Sequence, residues 1–252
     1  MHLFFKEQIM KIIITFIVSL FFPCALAWGN DVSGISFDFT RIVMTDNDKK
    51  GVFYHAYNNN PFPILVQSWG SNLDTDTGSV DETAKKLKVP FIVLPPLQRV
   101  EPGEKFTLNL RFNGEPVPEK KESVYLLSFK AIPASESNNN NNNKLSMTVV
   151  LNIKVFIRSG LPDDGGIVST LNKLTASWQP DGIMINNPSP NWLTLSSMMI
   201  DNKEIDKKEL LKMAVPMHST LFKWNKGKPR DVFVRFIDEY SMDTSPVRLQ
   251  ID

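Results

Sequence analysis

Short runs of β-branched and aromatic residues, each closed off by Pro, Gly, Asn or Asp, recur along most of this chain. They constrain its fold more than any other feature. The runs cover residues 52–57, 64–69, 105–112, 124–132, 145–157, 194–200 and 232–237. Turn residues separate them every 10–15 residues or so (about one strand and its loop), which predicts an antiparallel β-sandwich. Helical periodicity is scarce. The best helix candidate, Asp206 to Ala214, reads equally as a short turn into the next strand. Prolines (17) outnumber glycines (12), which also points to loops and strand edges rather than long helices. With 42% hydrophobic and 22% charged residues, the 252-residue chain can bury ordinary cores. Its length suits between one and two domains.

Residues 1–27 stand apart. Lys6 and Lys11 precede an apolar stretch from Ile12 to Phe22, and Ala25-Leu26-Ala27 has the small-x-small form that signal peptidase reads. The stretch falls short of the roughly 20 apolar residues of a membrane span, so a cleaved secretory signal is expected. Met10 offers a second start from which the same signal is more compact. A lipid anchor at Cys24 is the competing reading, but Phe21-Phe22-Pro23 lacks the small residues such a site needs. Cys24 is the chain's single cysteine, so cleavage after Ala27 leaves neither a disulfide nor a cysteine zinc site. It also removes Lys6, Lys11 and Glu7 and brings the formal charge from +1 to neutrality. That balance does not suit a chain that coats nucleic acid or an anionic membrane.

In the remainder, Ser159-Gly160-Leu161-Pro162-Asp163-Asp164-Gly165-Gly166 is a polar junction between strand-like regions. It divides the chain into residues 28–158 and 159–252, each suited to one immunoglobulin-like sandwich. An unbroken asparagine run from Asn138 to Asn143 buries no apolar surface and reads as a surface loop.

Enzyme signatures are thin. The chain has no G-x-G-x-x-G, P-loop, G-x-S-x-G or H-E-x-x-H. His55 and His218 have no sequence neighbours that suggest a metal pair or a triad, and Asp163 and Asp164 read as turn chemistry. The basic run from Lys223 to Arg230, with Trp224 inside it, reads as a hairpin loop. The informative segment is residues 144–158. There Leu145, Met147, Val149, Leu151 and Ile153 alternate and project from one strand face. An internal strand would explain the pattern. However, the strand is long and follows a polar tract with nothing obvious to cover it. An apolar edge left open in this way is a template for a strand from another chain.

At this point the sequence resembles the PapD-like family of periplasmic pilus (fimbrial) chaperones, over essentially the whole chain after the signal. Phe39-Thr40-Arg41-Ile42-Val43 is similar to the family's first strand with its arginine. Residues 58–69, from Asn58-Asn59-Asn60-Pro61 to Gln67-Ser68-Trp69, resemble its N-x-x-x-x-P…Q-x-W strand pair. Pro95-Pro96-Leu97-Gln98-Arg99-Val100-Glu101-Pro102-Gly103 matches P-P-x-x-R-x-x-P-G, the most specific of these motifs. Residues 126–133 resemble the strand that ends in Ile-Pro. Ile153-Lys154-Val155-Phe156-Ile157-Arg158 is similar to I-K-L-F-Y-R-P, with Ser159 where proline is usual. Ile185-Asn186-Asn187-Pro188-Ser189-Pro190 fits the second-domain N-P-T/S-P turn.

The resemblance implies an all-β chain of two immunoglobulin-like sandwiches in an L or boomerang arrangement. Pilus chaperones are a standing example of that architecture and of β-strand addition. By position, it makes Arg41 and Lys154 the cations that hold a pilin's C-terminal carboxylate. Leu145, Met147 and Val149 become the residues that enter the pilin's groove, each contributing about 1.5–3 kcal/mol when fully buried. Glu122 and Arg158 match an interdomain ion network whose third member is Asp238 or Glu239. Leu94–Pro95 is expected to be cis. The loop before the donor strand and the absence of paired cysteines imply the short-loop (F1–G1) branch. The implied partners are pilin subunits in a 1:1 complex and an outer-membrane usher, with a self-capping homo-oligomer as a free-state option. The implied place is the periplasm, with no nucleic acid, no membrane insertion after cleavage, no cofactor and no metal. Two alternatives remain at this stage. One is a fimbrial structural or tip component; the other is a periplasmic hydrolase using Asp163 or His218.

Overall fold

The computed structural model describes residues 33–84, 87–134, 148–161 and 166–251. The signal segment, the asparagine run, Leu145, Met147, Asp163 and Asp164 lie outside these described residues.

The first sandwich is built from β1 (Ile35–Phe37), β2 (Arg41–Thr45), β3 (Val52–Asn58), β4 (Ile64–Asn72) and β5 (Phe91–Leu94), followed by β6 (Leu97–Val100), β7 (Lys105–Phe112), β8 (Ser123–Pro133) and β9 (Val149–Arg158). One sheet has the order β1, β3, β7, β5 and the other β2, β9, β8, β4, β6. Period-two alternation decides which side chains meet between them. Tyr54 and Ala56 of β3, Leu127 and Phe129 of β8, and Ile153 and Val155 of β9 all join one buried cluster. Phe106 and Phe129 meet edge-to-face across it with ring centroids 6.2 Å apart. The Leu94–Pro95 peptide is cis, and here the chain passes from β5 in one sheet to β6 in the other. Gly103, at φ 72°, turns the chain from β6 into β7, and its amide donates to the Asn58 carbonyl.

The second sandwich contains β10 (Thr175–Gln179), β11 (Gly182–Asn187), β12 (Leu193–Ile200), β13 (Lys203–Glu204), β14 (Met213–Ala214), β15 (His218–Lys223), β16 (Val232–Phe236) and β17 (Val247–Leu249). Strands β10, β11 and β15 form one sheet; β13, β12, β16 and β17 form the other, with β14 on β12. A separate buried cluster fills it, including Ile183, Ile185, Phe222, Val234 and Phe236.

A shared device fastens a turn in each sandwich. Asn58, at the end of β3, is fully buried, and its side-chain amide donates to the carbonyls of Phe62, Val100 and Glu101. Asn187, at the end of β11, does the same to Asn191 and Ala214. Each side-chain oxygen accepts from the amide two residues on, Asn60 or Ser189. Both asparagines stand in the N-P motifs of the sequence, which therefore act as buried pins for the loop that follows.

Of the two readings of Asp206 to Ala214, the structure has the short turn: a single 3-10 turn, Glu209–Leu211, leads into β14. The buried Glu209 carboxylate accepts from the Lys212 ammonium and the Lys223 amide, which ties the turn to β15 after one revolution. A second 3-10 segment, Ile167–Lys173, follows the junction and was not anticipated.

Candidate functional site

Strands β2 and β9 are the one parallel pair of the first sandwich among the described residues, and their register places Arg41 directly opposite Lys154. Both side chains leave the sheet on the face turned away from the first core. Arg41 is 6% exposed, and its guanidinium lies 4.9 Å over the Phe156 ring. Its Nε is buried without a hydrogen-bond partner. Among the described residues, no carboxylate lies within 4.0 Å of Arg41 or Lys154. Burial pulls the Arg41 guanidinium down to about 10, against the pull of Glu122, Glu239 and Asp238. Burial and then the charge of Arg41 bring the Lys154 ammonium down to about 8. Two cations held together with no carboxylate in direct contact among the described residues form a site that an incoming carboxylate would complete, through charge-assisted hydrogen bonds.

Beside this pair, Arg158 at the end of β9 donates to Glu122 at 2.7 Å and to Glu239 at 2.5 Å. Glu122 belongs to the first sandwich and is 2% exposed, whereas Glu239 lies in the second. The sequence left Asp238 and Glu239 as alternatives for this network. The structure joins Glu239 to Arg158, while Asp238 accepts from the amides of Tyr240 and Met242 and shapes its own turn. Burial pushes the Glu122 carboxyl up, opposed by Arg158 and the Trp192 amide. For Glu239, the upward push of burial is outweighed by Arg158, and the carboxyl sits below its usual range.

Trp192 is a linking residue that the sequence reading missed. Its amide donates to the Glu122 carboxylate at 2.8 Å and its indole N–H to the Glu122 carbonyl at 2.9 Å. The signal for it was positional, since Trp192 follows the N-P-S-P turn at the start of β12. Glu122 is thus held from the second sandwich as well as by Arg158.

Strand β9 also carries an unpartnered edge. Strand β8 pairs with it from Val149 to Ile157, but β2 begins only opposite Lys154. On that side no strand pairs with residues 149–153 among the described residues. Val149, the described member of the expected donor set, is 54% exposed. With Ile35, Phe62, Ile64, Ala131 and Leu151 it lines an apolar cavity of about 300 Å³.

The histidines do not converge on a site. His55 Nδ1 contacts the Thr107 hydroxyl at 2.9 Å and His218 Nδ1 the Pro216 carbonyl at 2.7 Å. No group of metal-ligating side chains is present among the described residues. The basic run connects β15 to β16, and Trp224 within it is 7% exposed and belongs to the second core.

These features define a class: two immunoglobulin-like sandwiches, tied by an ion network around the buried Glu122, with a cation pair that touches no carboxylate among the described residues beside an open strand edge. Residues 34–161 match the family profile described as pili and flagellar-assembly chaperone, PapD N-terminal domain. Residues 169–245 match the pili assembly chaperone PapD C-terminal domain. The probable fimbrial chaperone protein ElfD of Escherichia coli strain K12 is 27% identical over 243 residues, covering 95% of this chain and 97% of that one. The chaperone protein FimB/FhaD of Bordetella pertussis is 27% identical over 184 residues, 71% of this chain and 72% of its own. In fold, the chain is similar to a solved structure of Salmonella enterica SafA pilin with the SafB chaperone. The TM-score is 0.71 at 21% identity, covering 87% of this chain and 97% of that one. The Escherichia coli chaperone DraB gives 0.68 at 22% identity, covering 86% and 97%. The chain belongs to the PapD family of pilus-assembly chaperones.

Proposed function

We propose that this chaperone captures a pilin subunit in the periplasm by lending it β9, and that Arg41 and Lys154 hold the subunit's C-terminal carboxylate. The observation that carries the reading is the opposed, buried and uncompensated cation pair. Direction follows from register. A chain that pairs with the open edge of residues 149–153 and ends at Lys154 lies in the same row as β2, so it runs parallel to β9 and stops where β2 begins. Backbone hydrogen bonds along that edge give affinity, and Leu145, Met147 and Val149 fill the subunit's exposed core. The Glu122–Arg158–Glu239 network fixes one sandwich against the other so that the cations stay in place.

The same reading assigns residues 1–27 to a signal, 28–158 to the subunit-binding sandwich and 159–252 to the second. It places the chain in the short-loop branch and hands the subunit to an outer-membrane usher. The complex is 1:1, no catalysis is involved, and without a subunit the open edge of β9 is covered by a second copy. Arg41→Ala or Lys154→Ala leaves a soluble fold and abolishes protection of a co-expressed pilin from periplasmic proteolysis. Undiminished protection by both variants would refute the anchoring role.

A further inference from the structure

Arg41 opens a strand that is poorly placed to keep a charge out of water. Strand β2 has five residues and forms the edge of its sheet, and the chain reaches it from β1, in the other sheet, through Asp38, Phe39 and Thr40. The buried Arg41 guanidinium regains water whenever the first residue of this strand frays. The peptide unit just before Arg41 is held at both of its polar ends. Its carbonyl, on Phe39, accepts from the Tyr54 hydroxyl of β3 at 2.8 Å. Its N–H, on Thr40, donates to the Ser241 hydroxyl at 2.8 Å, and Ser241 belongs to the second sandwich. A peptide group is planar, so holding its carbonyl and its N–H fixes the plane and the direction in which the chain enters Arg41.

Ser241 lies in the turn from Asp238 to Met242. The Asp238 amide donates to the Met242 carbonyl there, and the Ser241 amide to the Asp238 carbonyl. The same turn carries Glu239 to Arg158, at the far end of the seam between β2 and β9. Tyr240 and Met242, on either side of Ser241, are 73% and 64% exposed, whereas Ser241 is half-buried. Its φ is 64°, a left-handed conformation that is costly for a side chain and free for glycine. Glycine would make this turn at lower cost but would bring no hydroxyl to Thr40. We infer that Ser241 is a positioning residue for Arg41: through the Phe39–Thr40 peptide, the second sandwich holds the first residue of β2 in place before any subunit arrives. The hold needs both sandwiches, because Tyr54 comes from one and Ser241 from the other. Its bearing on capture rests on the anchoring role proposed above; the hold on Arg41 does not.

The test compares Ser241→Ala, which removes the hydroxyl and keeps the backbone cost, with Ser241→Gly, which removes both. The folded chain is treated with phenylglyoxal, which adds to guanidinium groups, and the rate of modification at each arginine is read by mass spectrometry. Arg41 reacts slowly in the parent and about two- to tenfold faster in both variants, the factor expected for one lost hydrogen bond. Arg158, held by Glu239 of the same turn, reacts at the parent rate in both. Ser241→Gly melts above Ser241→Ala because glycine relieves the left-handed conformation. The two variants thus differ in stability and agree in the exposure of Arg41, which a merely structural serine would not produce. Protection of a co-expressed pilin falls in both by a similar factor, since less of the chaperone holds its site ready. An Arg41 rate unchanged in both variants overturns the inference, as does a rate that follows the melting temperatures with Arg158 rising alongside. Faster modification of Arg41 with undiminished pilin protection would strike the anchoring role alone and leave Ser241 as the residue that positions Arg41.

Discussion

Replacing Lys154 with methionine should strengthen the free fold while removing its use. With its ammonium brought from 10.5 to about 8 by burial and by Arg41, protonated Lys154 destabilises the free fold. At about 1.4 kcal/mol per tenfold change, that amounts to roughly 3 kcal/mol. The folded-state value lies below the unfolded one, so between about pH 8 and 10.5 the unfolded chain binds more protons. This residue therefore makes stability rise with pH through that window. Below about pH 8 both states hold the proton and the full penalty persists. Lys154→Met keeps the aliphatic stem and deletes the charge. Urea unfolding at pH 7 should give a variant more stable than the parent by up to about 3 kcal/mol, and the gap should close towards pH 10. Subunit capture changes in the opposite sense. A bound carboxylate favours the ammonium, so capture by the parent weakens as pH rises above about 8, up to tenfold per pH unit, and Lys154→Met captures nothing at any pH. A variant less stable than the parent at pH 7 would mean that Lys154 is already satisfied within the fold, and the reasoning from an uncompensated pair would fall.

Other outcomes follow from the same geometry. Arg158→Ala leaves the buried Glu122 carboxylate without its cation and should cost about 3–5 kcal/mol, read as a fall in the urea midpoint; Glu122→Gln in the same background should recover part of it. Gly182→Ala places a methyl 2.1 Å from the Phe222 carbonyl oxygen, where β11 and β15 cannot give way. Circular dichroism melting should show the second sandwich losing stability by more than 2 kcal/mol or so. Val149→Asp puts a charge on the apolar edge of β9 and should weaken pilin co-purification while leaving the melting temperature of the free chain nearly unchanged.

The strands easiest to read in the sequence were those buried on one face and punctuated at both ends. Strand β7 occupies the expected span, and β3, β4, β8, β12 and β16 differ from theirs by a few residues at the ends. Strands β10 and β11 escaped notice because the stretch from Thr175 to Asn187 mixes Ser, Gln, Asn and Met and shows no clean alternation. The 3-10 segment Ile167–Lys173 escaped because one tight revolution has too few residues to establish a period. In the candidate site, the two cations were legible through a resemblance, but their opposition depends on a parallel pairing of strands distant in the chain. Asp238 and Glu239 could not be separated because they are adjacent, and only the direction of each side chain distinguishes a turn former from an ion-pair partner. Trp192 was passed over because its role rests on hydrogen bonds from one sandwich to the other, which leave no periodic trace.

The parallel seam between β2 and β9 has a consequence for when the chaperone becomes competent. Its two cations sit on β2, near the start of the sandwich, and on β9, its last strand, so neither half of that sandwich carries both. A nascent or partly unfolded chain holds Arg41 and Lys154 apart, fully hydrated, with no preference for a chain end over any other anion. Closing the sheet strips away that water and sets the charges side by side. If Arg41 and Lys154 hold the subunit as proposed, activity is proofread by folding: the chaperone can take hold of an unfinished protein only after β2 and β9 have met.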